Sequence, residues 1–151
     1  THVASIAGNG WMGHLAEIND LLDTMAEGGF AGGLAWVAEH PRSGAESYNF
    51  SKECVILLTK RQARWLRERG VRVNSVSPGV VETPILVDFV ESMGKDMIDM
   101  SAGIVGRHSK PIEQARAVMA VANPSLGWVN GADFICDGGM MASVFGGWMA
   151  G

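Results

Sequence analysis

Two residues that could carry out acid–base chemistry, Tyr48 and Lys52, lie four positions apart, and Ser5 ends an apolar run upstream. In a helix, this spacing places both side chains on one face. A free phenol titrates near pH 10 and is a poor base at neutral pH. A lysine ammonium about 6 Å away would favour the phenolate by roughly 3 kcal/mol at an effective dielectric constant of about 20. With a serine hydroxyl on the same substrate oxygen, the trio could interconvert an alcohol and a carbonyl, provided that a hydride acceptor is present.

The alternative for Tyr48 and Lys52 is an exposed pair without function, because Tyr-x-x-x-Lys occurs by chance in many helices. Two downstream segments favour the chemical interpretation. One runs from Val71 to Pro84 and contains Pro78-Gly79, and the other runs from Gly131 to Gly139 and ends in Asp-Gly-Gly. In this order and spacing, the residues resemble the C-terminal half of the short-chain dehydrogenase/reductase family.

The resemblance implies a role for each member of the trio. Ser5 would hold the substrate oxygen, Tyr48 would be the general acid/base, and Lys52 would bind the nicotinamide ribose and stabilise the phenolate. The cofactor would be NAD or NADP, and its contacts would come from Tyr48, Lys52, Pro78, Gly79, Val81 and Thr83. For Thr83 an N-cap before Pro84 is an alternative role. For Ser77 we prefer a structural role at the end of a strand.

The segment between Ser5 and Tyr48 is much longer than in most of the resembled family, since 43 positions separate the two residues. Residues 11–43 are amphipathic and resemble an insertion found in bacterial 3α-hydroxysteroid and coniferyl-alcohol dehydrogenases. One interpretation is packing or an oligomer contact. The other is a roof over a pocket for a bulky apolar alcohol or ketone, steroid-like or phenylpropanoid-like. That pocket would be lined by Trp11, Met12, Ile85, Leu86, Phe89 and Met93.

Hydrophobic periodicity predicts an α/β fold: the C-terminal half of a Rossmann-like, doubly wound parallel sheet, with about three strands and flanking helices. The predicted strands cover 1–7, 71–77 and 132–136, and the predicted helices cover 14–26, 34–39, 45–69, 84–99 (one or two) and 111–122. The glycines of 28–33 predict a flexible loop. Ligands bind beyond the carboxyl ends of parallel strands, so Ser5 and Pro78-Gly79 are expected on one rim.

The resembled family begins with a strand, a glycine-rich turn and a helix that hold the cofactor pyrophosphate. We interpret Gly8-Asn9-Gly10 as a strand break and assign no pyrophosphate site to this chain. We therefore expect residues 1–151 to form a partial catalytic domain that lacks the N-terminal cofactor-binding half. The alternative from a different class is a non-catalytic half-domain that acts only in oligomer assembly.

The composition and charge of the chain argue against several classes of binding partner. The net charge of −4 argues against a nucleic-acid surface, which would be basic. No apolar run approaches the roughly 20 residues of a membrane span, and no signal peptide is recognised, so we expect a cytoplasmic protein. Cys54 and Cys136 lie in apolar surroundings and are expected to be buried thiols rather than a disulfide or a metal pair. The four histidines show no ligand spacing, and no metal is expected.

We expect a homodimer or homotetramer, because the family commonly pairs the surface formed here by 111–122 and 132–136. The apolar residues expected on that surface are Val118, Met119, Val121, Phe134, Ile135, Val144, Phe145 and Trp148. Some of these side chains must fill the domain's own core, but an apolar patch of that size is rarely left exposed on a monomer.

Overall fold

The computed structural model describes residues 1–147, and only the backbone of Ser92, Met93 and Met97. Within this range the central sheet is parallel and has the order β1 (His2–Val3), β2 (Ser75–Pro78), β3 (Asp133–Cys136). Val76, which is fully buried on the central strand, pairs with Val3 on one side and Phe134 on the other. The predicted α/β fold with three parallel strands and flanking helices is therefore confirmed.

The helices of the described part surround this sheet. They are α1 (Leu15–Glu39), α2 (Gly44–Trp65), α3 (Leu86–Met93), α4 (Lys95–Val105), α5 (Pro111–Ala122) and α6 (Met140–Gly146). Short 3₁₀ helices cover Ile6–Gly8, Arg67–Arg69 and Pro124–Leu126. None of the helices in this part combines the length and the apolar character that a bilayer crossing requires.

The ends of α2 and α5 are encoded by local residues. Ser43 caps α2: its hydroxyl accepts from the Glu46 amide, and its own amide donates to the Glu46 carboxylate. Gly70, at φ 69°, ends the 3₁₀ turn after α2 in the left-handed conformation. Pro111 stands at the first position of α5. Both helices were predicted with nearly these bounds.

The strands are shorter than predicted because side chains take over the backbone hydrogen bonds next to them. The Val73 amide donates to the side chain of Asn130 at 2.8 Å, and the Asn74 side chain donates to the Val129 carbonyl at 3.0 Å, so β2 begins only at Ser75. At the other end of β1, Ser5 turns the chain into a 3₁₀ helix.

The loop predicted at 28–33 is wrong: α1 runs through these residues with a single non-helical position, Gly29, at φ 60° and ψ −151°. Beyond this kink the helix folds back along itself. A Cβ on Gly33 would stand 2.9 Å from Met25 Cγ, and one on Gly32 would stand 3.0 Å from the Thr24 carbonyl oxygen. These glycines permit close contact between two helical halves, which their composition does not distinguish from a loop.

The main buried cluster joins both halves of α1 to α2. Its members are Ile18, Leu21, Trp36, Phe50 and Leu57, with Trp11, Leu22 and Cys54 packed against them. The rings of Trp36 and Phe50 stack at 5.8 Å, and the Arg42 guanidinium lies 3.6 Å from the centre of the Phe50 ring. The segment 11–43 thus covers one face of α2 and leaves another face of that helix for Tyr48 and Lys52.

Candidate active site

A cavity of about 420 Å³ lies where β1 and β2 end, within the size range of small-molecule sites. Its walls come from the turn after β1, from α2, from the loop after β2, and from α3, α4 and α6. Most of the residues singled out in the sequence line it together: Ser5, Tyr48, Lys52, Pro78, Gly79, Val81, Thr83, Ile85, Leu86 and Phe89.

Two residues predicted for the pocket, Trp11 and Met12, do not line it. Trp11 packs against the core cluster, and its ring lies 5.1 Å from Lys60 Nζ. Met12 is 70 % exposed, and no residue of 11–43 lines the cavity. The side chain of Met93 lies outside the described part of the structure.

Tyr48 and Lys52 occupy one face of α2, one turn apart, and both are partly buried. The Lys52 ammonium lies 5.5 Å from the centre of the Tyr48 ring. On its other side, the Tyr48 ring meets Phe89 in a T-shaped contact with centroids 5.1 Å apart. The pair therefore presents a phenol beside a positive charge, against an apolar wall.

Ser5 is held at the mouth of the cavity by the backbone that follows it. It is the N-cap of the 3₁₀ helix, and its Oγ accepts from the Ala7 amide at 3.2 Å. The preceding Ala4 amide donates to the Val76 carbonyl at 2.8 Å, which ties the segment to β2. Because Oγ accepts from Ala7, the hydroxyl hydrogen remains able to donate to a ligand oxygen.

The glycines after Ser5 form a pattern that the sequence analysis overlooked. Gly8, Gly10 and Gly13 match the spacing Gly-x-Gly-x-x-Gly after a strand, which is typical of pyrophosphate sites. Here, however, they serve packing. A Cβ on Gly8 would stand 2.8 Å from the Lys52 carbonyl oxygen, one on Gly10 would stand 2.7 Å from Glu53 Oε1, and neither residue lines the cavity. The pattern match alone would thus have been misleading.

The loop after β2 is fixed by its neighbours. The Gly79 amide donates to the Cys136 carbonyl at 3.1 Å, and a Cβ on Gly79 would stand 2.9 Å from Asp137 Cβ. Further on, Ser109 forms an isolated parallel bridge with Val81, donating to Val80 at 3.0 Å and accepting from Glu82 at 2.8 Å. This part of the cavity wall is therefore pinned to both β3 and the segment before α5.

The alternative roles considered for Thr83 and Ser77 have different outcomes. The Thr83 hydroxyl donates to the Val81 carbonyl at 3.4 Å, and α3 begins only at Leu86, so Thr83 is not its N-cap. Ser77 is fully buried and donates to the Asp133 carboxylate at 2.8–2.9 Å. Its role is structural, as predicted.

Several cavity residues were missed by the sequence analysis: Asn49, Val80, Ile98, Ser101, Met140 and Met141. A usable signal existed for the last two. Asp137 lies two residues before Gly139, the N-cap of α6, and its carboxylate accepts from the Gly139 amide at 2.9 Å and the Met141 amide at 2.7 Å. An aspartate followed by two glycines thus marks the start of a helix whose first residues enter the cavity.

A second, larger cavity of about 530 Å³ lies between α2 and the ends of α1, away from the trio. Four of its side chains pair with each other: His14 Nδ1 lies 2.7 Å from Glu53, and Arg42 bonds to Glu17. Asn49 lines both cavities, and its buried side-chain oxygen has no hydrogen-bond partner among the described residues. The smaller cavity is the candidate active site because it alone contains the trio.

Both cysteines are free thiols, but each is only partly buried, whereas buried thiols were predicted. Burial, followed by the nearby Glu53 carboxylate, raises the pKa of the Cys54 thiol to about 12. Cys54 is therefore protonated at neutral pH and is a packing residue rather than a nucleophile.

A family model described as enoyl-(acyl carrier protein) reductase matches residues 10–141. The chain therefore belongs to the short-chain dehydrogenase/reductase family, as its motifs predicted.

Individual relatives agree with the predicted subgroup. The coniferyl-alcohol dehydrogenase of Pseudomonas sp. (strain HR199 / DSM 7063) is 29 % identical over 94 % of this chain and 55 % of its own length. The 3-alpha-hydroxysteroid dehydrogenase/carbonyl reductase of Comamonas testosteroni is 30 % identical over 85 % and 51 %.

Among solved structures, the 3-alpha-hydroxysteroid dehydrogenase from Pseudomonas sp. B-0831 complexed with NADH matches with a TM-score of 0.75 and 29 % identity. The match covers 97 % of this chain and 56 % of that one. The chain thus spans about half the length of these relatives.

Proposed function

We propose that this chain carries the catalytic residues of a nicotinamide-dependent oxidoreductase that interconverts a secondary or aromatic alcohol and its carbonyl compound. The observation that carries the proposal is the meeting of Ser5, Tyr48 and Lys52 in one cavity, although 43 positions of sequence separate the serine from the tyrosine. Membership in the family supports it.

In the proposed reaction, Tyr48 as a phenolate removes the hydroxyl proton of the alcohol while a hydride leaves the carbinol carbon. Ser5 donates a hydrogen bond to the developing oxyanion. The positive charge of Lys52 stabilises the phenolate that the reaction requires. A bound nicotinamide would accept the hydride, and in the reverse direction would deliver it to the carbonyl carbon.

The residues present fit such a cofactor. In the described part of the chain, Lys52 has no carboxylate partner, so a partly buried ammonium in the cavity is available to ribose hydroxyls. The contacts to NAD or NADP would come from Tyr48, Lys52, Pro78, Gly79, Val81 and Thr83, which line the same cavity. The relatives' solved structures contain either NADH or NADP.

The substrate we propose is a bulky apolar alcohol or ketone. Besides the polar trio, the cavity is lined by large apolar side chains: Ile85, Leu86, Phe89, Ile98, Met140 and Met141. Methionines adapt to irregular ligands. Relatives named for coniferyl alcohol and for a 3-alpha-hydroxysteroid support this size and polarity.

The test is Tyr48→Phe in the complete enzyme. This change keeps the ring and removes the group that transfers the proton, so turnover should fall about 10²–10⁴-fold while cofactor affinity changes little. Ser51→Ala is the matched control, because Ser51 is exposed on the same helix and its hydroxyl bonds, among the described residues, only to the Tyr48 carbonyl. If Tyr48→Phe retains more than half of the wild-type turnover, the assignment fails. A non-catalytic assembly role requires that the wild type itself shows no turnover.

We also propose that the enzyme is a homodimer or homotetramer. Apolar side chains exposed on α5, β3 and α6 support this: Ile112, Met119, Ile135, Val144 and Phe145 are between 44 % and 76 % exposed. Val121, predicted for the same surface, is 5 % exposed and belongs to the domain's own core.

A further inference from the structure

Among the described polar residues that are almost fully buried, Ser101 is the one without a hydrogen-bond partner; the unpaired amide atoms of Asn9, Asn49 and Gln114 belong to residues that are only partly buried. Ser101 is 4 % exposed, it lines the cavity, and its hydroxyl has no hydrogen-bond partner among residues 1–147. By contrast, the buried Ser75 and Ser77 donate to Asp133, and Ser143 donates to the Met140 carbonyl. Thr59, Asn74 and Glu53 are also paired.

A helical serine commonly bonds its hydroxyl to a carbonyl of the preceding turn. Ser101 lies inside α4, where such carbonyls are available, but it makes no bond of this kind. Its hydroxyl therefore faces a cavity that a ligand can fill. The Ser101 oxygen is not among the described side-chain atoms that are shut off from solvent without a partner, so it is open to a ligand oxygen or a water in the cavity.

The surroundings of Ser101 separate it from the reacting centre. Ile98, one turn earlier on the same face of α4, also lines the cavity and is 6 % exposed. The proposed acid/base group, in contrast, is on α2, and the proposed cofactor contacts are on the loop after β2. Ser101 is thus a polar point on the apolar wall, on a different element from the trio and the cofactor contacts.

We propose that Ser101 is a specificity-determining residue that hydrogen-bonds a second oxygen of the substrate, away from the carbon that is oxidised. The substrate is then an apolar alcohol or ketone that carries one further hydroxyl or carbonyl oxygen. This inference rests on the proposed function, and it narrows the substrate class for the same cavity.

The experiment compares substrates that differ by that one oxygen, in the complete enzyme. Suitable pairs are cinnamyl alcohol with 4-hydroxycinnamyl alcohol, and androstan-3-one with 17-hydroxyandrostan-3-one. The wild type should prefer the hydroxylated member of at least one pair by about tenfold in kcat/KM, because a site built to bind a hydroxyl rejects the analogue that lacks it. In Ser101→Ala the ratio of the two kcat/KM values should fall to about one, because the KM of the hydroxylated member rises. The KM of the cofactor should not change.

Ser143→Ala is the matched control: it removes the same atom from a buried serine that is already paired and does not line the cavity. It should keep the tenfold preference. Ser101→Cys nearly preserves the volume but offers only a weak donor, so it should lose the preference as Ser101→Ala does. Agreement of the two Ser101 variants excludes a collapse of the helix as the cause.

The inference is overturned if both Ser101 variants keep the wild-type preference, or if the wild type prefers neither hydroxylated probe. In either case, turnover of the probes still supports the proposed function. If the wild type turns over none of the probes, the proposed function fails for these substrates. The role of Ser101 is then tested by calorimetry, which measures the Kd of each member of a pair for the wild type and for Ser101→Ala. A tenfold difference in Kd that disappears in the variant supports the role of Ser101, and equal constants refute it.

Discussion

Lys52 is the residue on which two proposed roles depend, and this makes its substitution more informative than that of Tyr48. Its ammonium lies 5.5 Å from the Tyr48 ring centre, and in the described residues it has no acidic partner that would restrain it. Lys52→Met should therefore lower turnover by about 10²-fold or more, as expected for loss of acid–base assistance, and should also weaken NAD(P) binding.

Fluorescence titration of the cofactor beside kcat measurements separates the two effects, since Tyr48→Phe should change only kcat. Lys60→Met is the control, because Lys60 lies two turns further along α2 and outside the cavity. If Lys52→Met has normal cofactor affinity, the proposed role of Lys52 in cofactor binding is wrong, and only its effect on Tyr48 remains.

At the scale of the element, α6 depends on one carboxylate for its position. Asp137 accepts from two backbone amides at the start of α6, and the next residues, Met140 and Met141, line the cavity. Asp137→Ala should destabilise the fold by about 1–2 kcal/mol, because two backbone amides at the start of α6 lose their carboxylate acceptor, and should also raise the substrate KM.

Asn123→Ala is the matched comparison for that prediction. Asn123 caps the 3₁₀ helix Pro124–Leu126 through the Ser125 amide at 2.8 Å, far from the cavity lining. Chemical denaturation should show a loss for both variants, and steady-state kinetics should show the KM effect for Asp137→Ala alone. Equal kinetics in the two variants would mean that α6 does not position the methionines for the substrate.

The start of α5 should make stability depend on pH. Hydrogen bonds from Arg107 and then from the Lys110 amide lower the pKa of the Glu113 carboxyl from 4.5 to about 2. A lowered folded-state pKa stabilises the protein above the unfolded value, and this contribution is lost as the pH falls from about 4.5 towards 2. Glu113→Gln should therefore lower the free energy of unfolding at pH 6, and the difference from wild type should shrink below pH 4. A constant difference in urea denaturation from pH 6 to pH 3 would contradict the mechanism.

The elements that the sequence predicted best are those whose ends are encoded locally. Ser43, Gly70 and Pro111 mark helix boundaries by their own backbone preferences, and α2 and α5 follow them closely. The glycines near the kink of α1 could not be interpreted in this way. They are needed because Thr24 and Met25, on the other side of the kink, leave no room for a side chain.

The candidate site divides along the same line. Tyr48 and Lys52 follow from helical spacing, and Ser5 and Pro78-Gly79 from the rule that strand ends share a rim. Ser101 could not be predicted, since its place in the cavity depends on how α4 packs against the rest of the fold. One such contact joins Val105 of α4 to Gly138: a Cβ on Gly138 would stand only 2.3 Å from Val105 Cγ1. Contacts of this kind are absent from any local pattern.

For the whole molecule, the distribution of exposed apolar side chains predicts where copies meet. Val144 and Phe145 of α6 are 45 % and 76 % exposed; Trp148, which the sequence assigned to the same patch, lies outside the described residues. The double substitution Val144→Asp/Phe145→Asp should convert a dimer or tetramer into smaller species without unfolding, because it places charge in an apolar contact.

Light scattering with circular dichroism tests this, and Phe30→Asp serves as the control. Phe30 is 77 % exposed on α1, which covers a different face of the molecule. If the α6 double variant keeps its oligomer while the Phe30 variant dissociates, the interface is on the segment 11–43 instead.

The close packing at Gly8 has a consequence for how such enzymes diverge. Because Gly8 rests on the backbone of Lys52, the distance between the turn that holds Ser5 and the helix that holds Tyr48 is set by contact and not by the chain that joins them. The joining segment leaves this contact at Gly8 and returns at Ser43, the N-cap of α2, so its length does not set the distance between the two. A search that demands a fixed interval between serine and tyrosine would pass over this chain. A search for a small residue three positions after the serine, followed at any interval by Tyr-x-x-x-Lys, would find it.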